Sequence, residues 1–200
     1  MKKFYLSIIK KTRIFVKRYM TNLNDISHDY NHINLVIKLA RQIAKKEGIT
    51  KERDLFHIIM GALLHDIGDS KYTTIKQSTI IFNYLKRFHD LSNYDKREII
   101  KISSNVSLSK DHDNNYNKKN LKLYIVQDAD RINSLGAIGI MRYTAYNIIN
   151  SKNPSFDEII KNMSTRTNKI KRFIRTKTGK IIAQKHLKLV SYFINNYKKK

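Results

Sequence analysis

Three short stretches of this sequence carry side chains able to hold a divalent cation or move a proton. The first is Ser27-His28-Asp29-Tyr30-Asn31-His32, where His28 and His32 stand four apart and share a face if the stretch is helical. The second is the adjacent pair His65-Asp66 within Met60-Gly-Ala-Leu-Leu-His-Asp-Ile-Gly-Asp-Ser-Lys-Tyr72. The third is Gln127-Asp128-Ala129-Asp130-Arg131, two carboxylates inside an apolar pattern of Leu123, Ile125, Val126, Ile132 and Leu135. Imidazoles and carboxylates together suit borderline divalent metals, and a carboxylate on a buried face is costly without a partner. Each stretch alone also has a plainer reading: unrelated exposed histidines, a solvated helix end, and a salt bridge to Arg131.

The elements that must position these groups read as helices. Phe56, Ile59, Met60, Leu63 and Ile67 recur at helical spacing, with Thr50 as the expected N-cap and Gly68 as the stop. Gly61 and Ala62 are small enough to let another helix or a bound ion approach. A helix over 29–46 turns Ile33, Val36, Ile37, Ala40, Ile43 and Ala44 inward and closes at Gly48. Further helices are expected over 4–20, 75–89, 95–107, 121–132, 135–149 and 178–197, with another beginning at Asn153-Pro154. Residues 109–120 read as a polar loop. Positions i and i+2 of a helix face nearly opposite ways, so Asp128 and Asp130 cannot both aim at one ion. Asp130 shares a polar face with Gln127, Arg131 and Ser134; Asp128 is expected to pair locally or to brace a neighbour of the site.

Composition bounds the rest. Two hundred residues with 41% hydrophobic content fit one all-α domain, and six Gly with a single Pro disfavour a turn-rich β-sandwich. The absence of Cys excludes disulfides and thiolate metal sites. Forty Lys+Arg against 16 Asp+Glu give a net charge of +24, a field that attracts nucleotides, nucleic acid, phosphorylated metabolites or anionic membrane. Heavy use of Lys, Asn, Ile, Tyr and Phe is also what an AT-rich genome produces without selection for binding. No apolar run reaches the roughly 20 residues of a membrane span, and residues 4–9 are too short for the apolar core of a signal peptide. A soluble, cytoplasmic protein is expected; oligomeric state is not readable.

In order, His, then His-Asp, then Asp, each on its own helix, resembles the HD-domain superfamily of metal-dependent phosphohydrolases, and more narrowly its small stand-alone bacterial-type members. The matching pieces are His28-Asp29-Tyr30-Asn31-His32 with Val36, Ala62-Leu-Leu-His-Asp-Ile-Gly-Asp-Ser-Lys71, Ser107-Leu-Ser109 and Val126-Gln-Asp-Ala-Asp-Arg-Ile132. Leu135-Gly-Ala-Ile-Gly-Ile140 and the tail Thr178-Gly-Lys-Ile-Ile-Ala-Gln-Lys-His186 are similar as well, so the likeness spans nearly the whole chain. It implies a single HD domain over 1–200, with a core near 26–135, an N-terminal helix at 4–20 and C-terminal helices at 154–197 packed on it. It implies one divalent metal (Mn, Fe, Co, Ni or Zn) held between helices by His32, His65, Asp66 and Asp130. Asp69 would act as general base, His28 would contact or protonate a nucleotide-like phosphorylated substrate, and Lys71 would neutralise its charge. Arg131 would do the same or orient Asp128.

The sequence departs from the family where an Arg-Val pair usually follows the first ligand; here Leu35-Val36 stands there. Asn105, Val106 and Leu108 replace a His and a Phe found in some relatives, which disfavours diiron oxygenase chemistry. His57, His89, His112 and His186 match no motif and are expected on the surface or in packing. The competing function is a basic protein that binds nucleic acid or an anionic surface on an HD-like fold, with any metal structural.

Overall fold

A computed structural model of the chain describes residues 1–23, 30–112 and 120–199. Among them there are no strands. The helices are α1 (Lys3–Leu23), α2 (Tyr30–Lys46), α3 (Glu52–Leu64), α4 (Gln77–Leu85), α5 (Asn93–Ser103), α6 (Leu121–Asn133), α7 (Gly136–Asn150), α8 (Phe156–Phe173) and α9 (Lys177–Tyr197). His28 and Asp29 lie outside the described residues.

Helix α3 is the axis of the bundle. Every residue from Phe56 to Leu64 is buried, because α1, α2, α5 and α6 all pack against it. Gly61 lets α5 come close: a methyl group there would collide with Ile102 of α5. The small residue thus serves a helix, not an ion. Ile33, Val36, Ile37, Ala40, Ile43 and Ala44 line the buried stripe of α2, which packs along α3 and α6. One continuous hydrophobic cluster runs from Tyr5 of α1 to Ile194 of α9.

Several boundaries differ from expectation for local reasons. α3 starts one residue after Lys51, which caps it without a side-chain hydrogen bond, so Thr50 is not the cap. It ends at Leu64 with His65 as C-cap; Ile67 packs in the core from the turn beyond, and Gly68, at φ 71°, reverses the chain. α4 is shorter than 75–89 because the chain turns after Leu85. Leu108–His112 forms a 3-10 turn that runs into the start of the stretch read as loop. Side-chain caps do set α5, α6 and α9: Ser92, Asn120 and Thr176 accept from the backbone of Asp95, Leu123 and Gly179.

No described helix is long and apolar enough to cross a membrane.

Candidate metal centre

His32 lies in the first turn of α2, His65 and Asp66 at the end of α3, and Asp130 near the end of α6. Because α2 and α6 both pack on the end of α3, these three places meet. His32 Nε2 lies 3.4 Å from Asp66 Oδ2 and 3.3 Å from Asp130 Oδ1. His65 Nε2 lies 3.2 Å from Asp66 Oδ1 and 3.6 Å from Asp130 Oδ1. Ligand atoms of His32, His65 and Asp66 all fall within 4.8 Å of one another.

The environment prepares these atoms for a cation. His65 Nδ1 is 2.9 Å from the Ala62 carbonyl, to which it donates, leaving Nε2 turned into the cluster. His65 Nε2 and Asp66 Oδ2 are buried and make no hydrogen bond among the described residues. Buried polar atoms left this way are costly unless something else satisfies them. Two imidazoles and two carboxylates match the donor preference of borderline divalent metals. The residues present therefore fit the ion that the motifs imply. Without it, electrostatics settle on protons: burial opposes the charge on His65, but the Asp66 and Asp130 carboxylates outweigh burial and raise it to about 9. Burial likewise opposes the Asp66 and Asp130 carboxylates, yet the two imidazoles hold both well below the ordinary carboxylate range.

The cluster forms the floor of a cavity of about 760 Å³. Asp69 and Lys71 line the same cavity, as do Ser107 and Ser109, whose hydroxyls are 2.8 Å apart. Asp69 Oδ1 accepts from the Lys71 amide at 3.0 Å, and Lys71 Nζ stands 4.7 Å from the centre of the Tyr146 ring.

Arg131 is placed elsewhere. Its side chain is 1% exposed, it does not line the cavity, and its guanidinium donates to the Phe173 carbonyl at the end of α8. It is not available to a substrate, and the expectation that it neutralises phosphate charge is corrected. Burial pushes the Asp128 carboxyl above its ordinary value, and the hydrogen bonds from Thr176 and Arg175, with the Arg131 charge, only partly offset it. Asp128 faces away from the cluster and accepts from Arg175 N at 2.9 Å, Thr176 N at 2.7 Å and Thr176 Oγ1 at 2.6 Å. Gln127 also turns aside, donating to the Asn105 carbonyl.

Leu35, expected to stand where the family usually has Arg, is 37% exposed and does not line the cavity. A guanidinium does stand beside His32, that of Arg142 of α7, 2.7 Å from Nδ1, with Asn133 Nδ2 at 3.5 Å. Sequence reasoning passed over Arg142, whose one local signal is that it is the sole charge in 135–149. Arg166 of α8 and Lys110 also line the cavity, and neither stands out among so many cations. His57 is fully buried, bonded through Nε2 to Asp95 at 2.6 Å. His186 packs against Gly136, where a methyl group would strike its ring.

The family model described as HD domain matches residues 29–135. An uncharacterized protein of Acanthamoeba polyphaga mimivirus is 30% identical over 154 residues, 71% of this chain and 62% of that protein. YpgQ of Bacillus subtilis is 29% identical over 135 residues, 66% of this chain and 63% of YpgQ. The alignments thus span under two thirds of the length of these curated relatives. Among solved structures, an HD-superfamily hydrolase of Bacillus thuringiensis superposes with a TM-score of 0.74 at 27% identity, covering 98% of this chain and 97% of that one. YpgQ in complex with ADP superposes with a TM-score of 0.73 at 22% identity, covering 96% of each chain.

Proposed function

The chain belongs to the HD domain family, and on that footing we propose that it is a metal-dependent phosphohydrolase acting on a phosphate ester or anhydride of a nucleotide or similar small molecule. The observation that carries this reading is the meeting of His32, His65, Asp66 and Asp130 on the cavity floor, with His65 Nε2 and Asp66 Oδ2 buried and without a hydrogen bond. An ion held by these four would lower the pKa of a bound water and polarise a phosphoryl oxygen. Asp69, on the same wall, takes the proton of the attacking water. Lys71, held over Tyr146, offsets the charge of the phosphoryl group. His28 keeps its proposed role of contacting or protonating the substrate.

The ADP bound to YpgQ supports a nucleotide-like occupant for a cavity of this volume. We assign Mn, Fe, Co, Ni or Zn as the candidate ions, residues 1–200 as one HD domain with its core near 26–135, and the cytoplasm as its place of action. The test is a screen of nucleotides and phosphorylated metabolites for released phosphate or pyrophosphate, with each of those metals supplied. Turnover of at least one compound, abolished in Asp69→Ala while bound metal persists, supports the assignment. A metal-loaded chain inert toward every phosphorylated compound contradicts it.

A further inference from the structure

Two arginines stand on the cavity wall beyond the stretch matched by the family model, Arg142 on α7 and Arg166 on α8. Arg166 is partly buried. Its guanidinium lies 5.4 Å from the centre of the Tyr143 ring, and its hydrogen bond among the described residues is a long one, 3.4 Å, to the Ser134 carbonyl. A guanidinium carries five donors in a planar fork, and burying it with so few acceptors is unfavourable. Burial works against its charge, Asp130 favours it, and Arg142 is near enough to repel it. Two like charges held together over a cavity, one short of acceptors, are relieved when an anion enters between them.

We propose that Arg142 and Arg166 form an anion subsite for a second phosphoryl group of the substrate, so that the cavity selects compounds carrying two linked phosphates over simple monoesters. This rests on the reading of the cluster as the centre that meets the first phosphoryl group. α6 fixes the relation between the two places. Asp130 reaches the cluster, while Ser134, four residues on, holds Arg166 through its carbonyl. Tyr143 backs the Arg166 fork from the side of α7. The fork can then grip two oxygens of one phosphoryl group, a geometry that an ammonium lacks.

The experiment measures binding, by calorimetry on the full chain loaded with manganese, of methylenediphosphonate and of inorganic phosphate. The wild type should bind the diphosphonate at least about tenfold more tightly, the scale of a charge-assisted hydrogen bond. Arg166→Gln should lose most of that preference while phosphate affinity and manganese content stay unchanged. Arg166→Lys, which keeps the charge without the fork, should recover only part of it and serves as the comparison if the Gln variant does not fold. An unchanged preference in these variants, or an equal loss for both anions, overturns the subsite. A wild type that takes up neither manganese nor, when they are supplied in its place, iron, cobalt, nickel or zinc sinks the phosphohydrolase reading instead. If that metal-free chain still prefers the diphosphonate through Arg166, the subsite stands without it.

Discussion

Asp128 and Asp130, two positions apart on α6, work on opposite sides of it: Asp130 Oδ1 lies 3.3 Å from His32 Nε2, whereas Asp128 accepts from the backbone and hydroxyl of Thr176. One helix therefore joins the His/Asp cluster to the corner where α8 becomes α9. The division is a consequence of helical geometry, which sends i and i+2 to nearly opposite faces.

Asp128→Ala should cost about 2–4 kcal/mol of stability, because the buried amide of Thr176 and the part-buried amide of Arg175 lose their acceptor. Urea denaturation measures this. The same variant should keep its metal content per folded chain, since Asp128 faces away from the cluster. A loss below about 0.5 kcal/mol, the range of ordinary surface changes, contradicts this role.

Gly139 begins the second turn of α7 on the cavity wall, and a methyl group there would run into the backbone carbonyl of Ser134. A backbone cannot swing aside as a side-chain tip can. Gly139→Ala should therefore destabilise by about 2 kcal/mol, near the middle of the range for overpacking, and lower the melting temperature by about 4–8 °C for a chain of this size. Gly48→Ala is the control. Its methyl group meets nothing within 4 Å, and only the strain of φ 78° remains, about 1 kcal/mol.

Acid stability should depend on Asp95. Burial opposes its charge, but Arg53, Ser92 and His57 outweigh burial and bring it from the ordinary 3.8 to about 2. Its folded pKa is depressed, so the unfolded chain takes up the proton first. The contribution is complete above about pH 4 and is lost as pH falls toward about 2. Buried His57, whose pKa burial lowers, adds loss of the same sign beginning nearer pH 6.5. Denaturation midpoints measured between pH 2 and 5 should fall more shallowly in Asp95→Asn than in the wild type. Parallel profiles would contradict the network.

Local pattern carried much of this architecture. The stripes of α2 and α3 are periodicities read within one helix, and Asp130 could be separated from Asp128 by facing alone. Contacts between distant segments were not legible in that way. Nothing near Asp128 points to Thr176, 48 residues on, and nothing near His57 points to Asp95. Arg131 shows the limit most clearly: one residue from Asp130, it reads as part of the same polar face. In the fold it leaves the cavity to meet Phe173. Arg142 was missed for the converse reason, since its neighbours on α7 describe a packing helix and only the third dimension brings it to His32.

The central claim is that four side chains spread from residue 32 to residue 130 serve one cation. The most direct measurement is elemental analysis of folded chain purified without chelator, wild type beside Asp66→Ala and Asp130→Ala, with circular dichroism to establish folding. About one divalent transition metal ion per wild-type chain, and less than about a tenth of that in either variant, is the predicted result. A folded wild type that stays metal-free when Mn, Fe, Co, Ni and Zn are supplied, or a variant that retains the full complement, would contradict it.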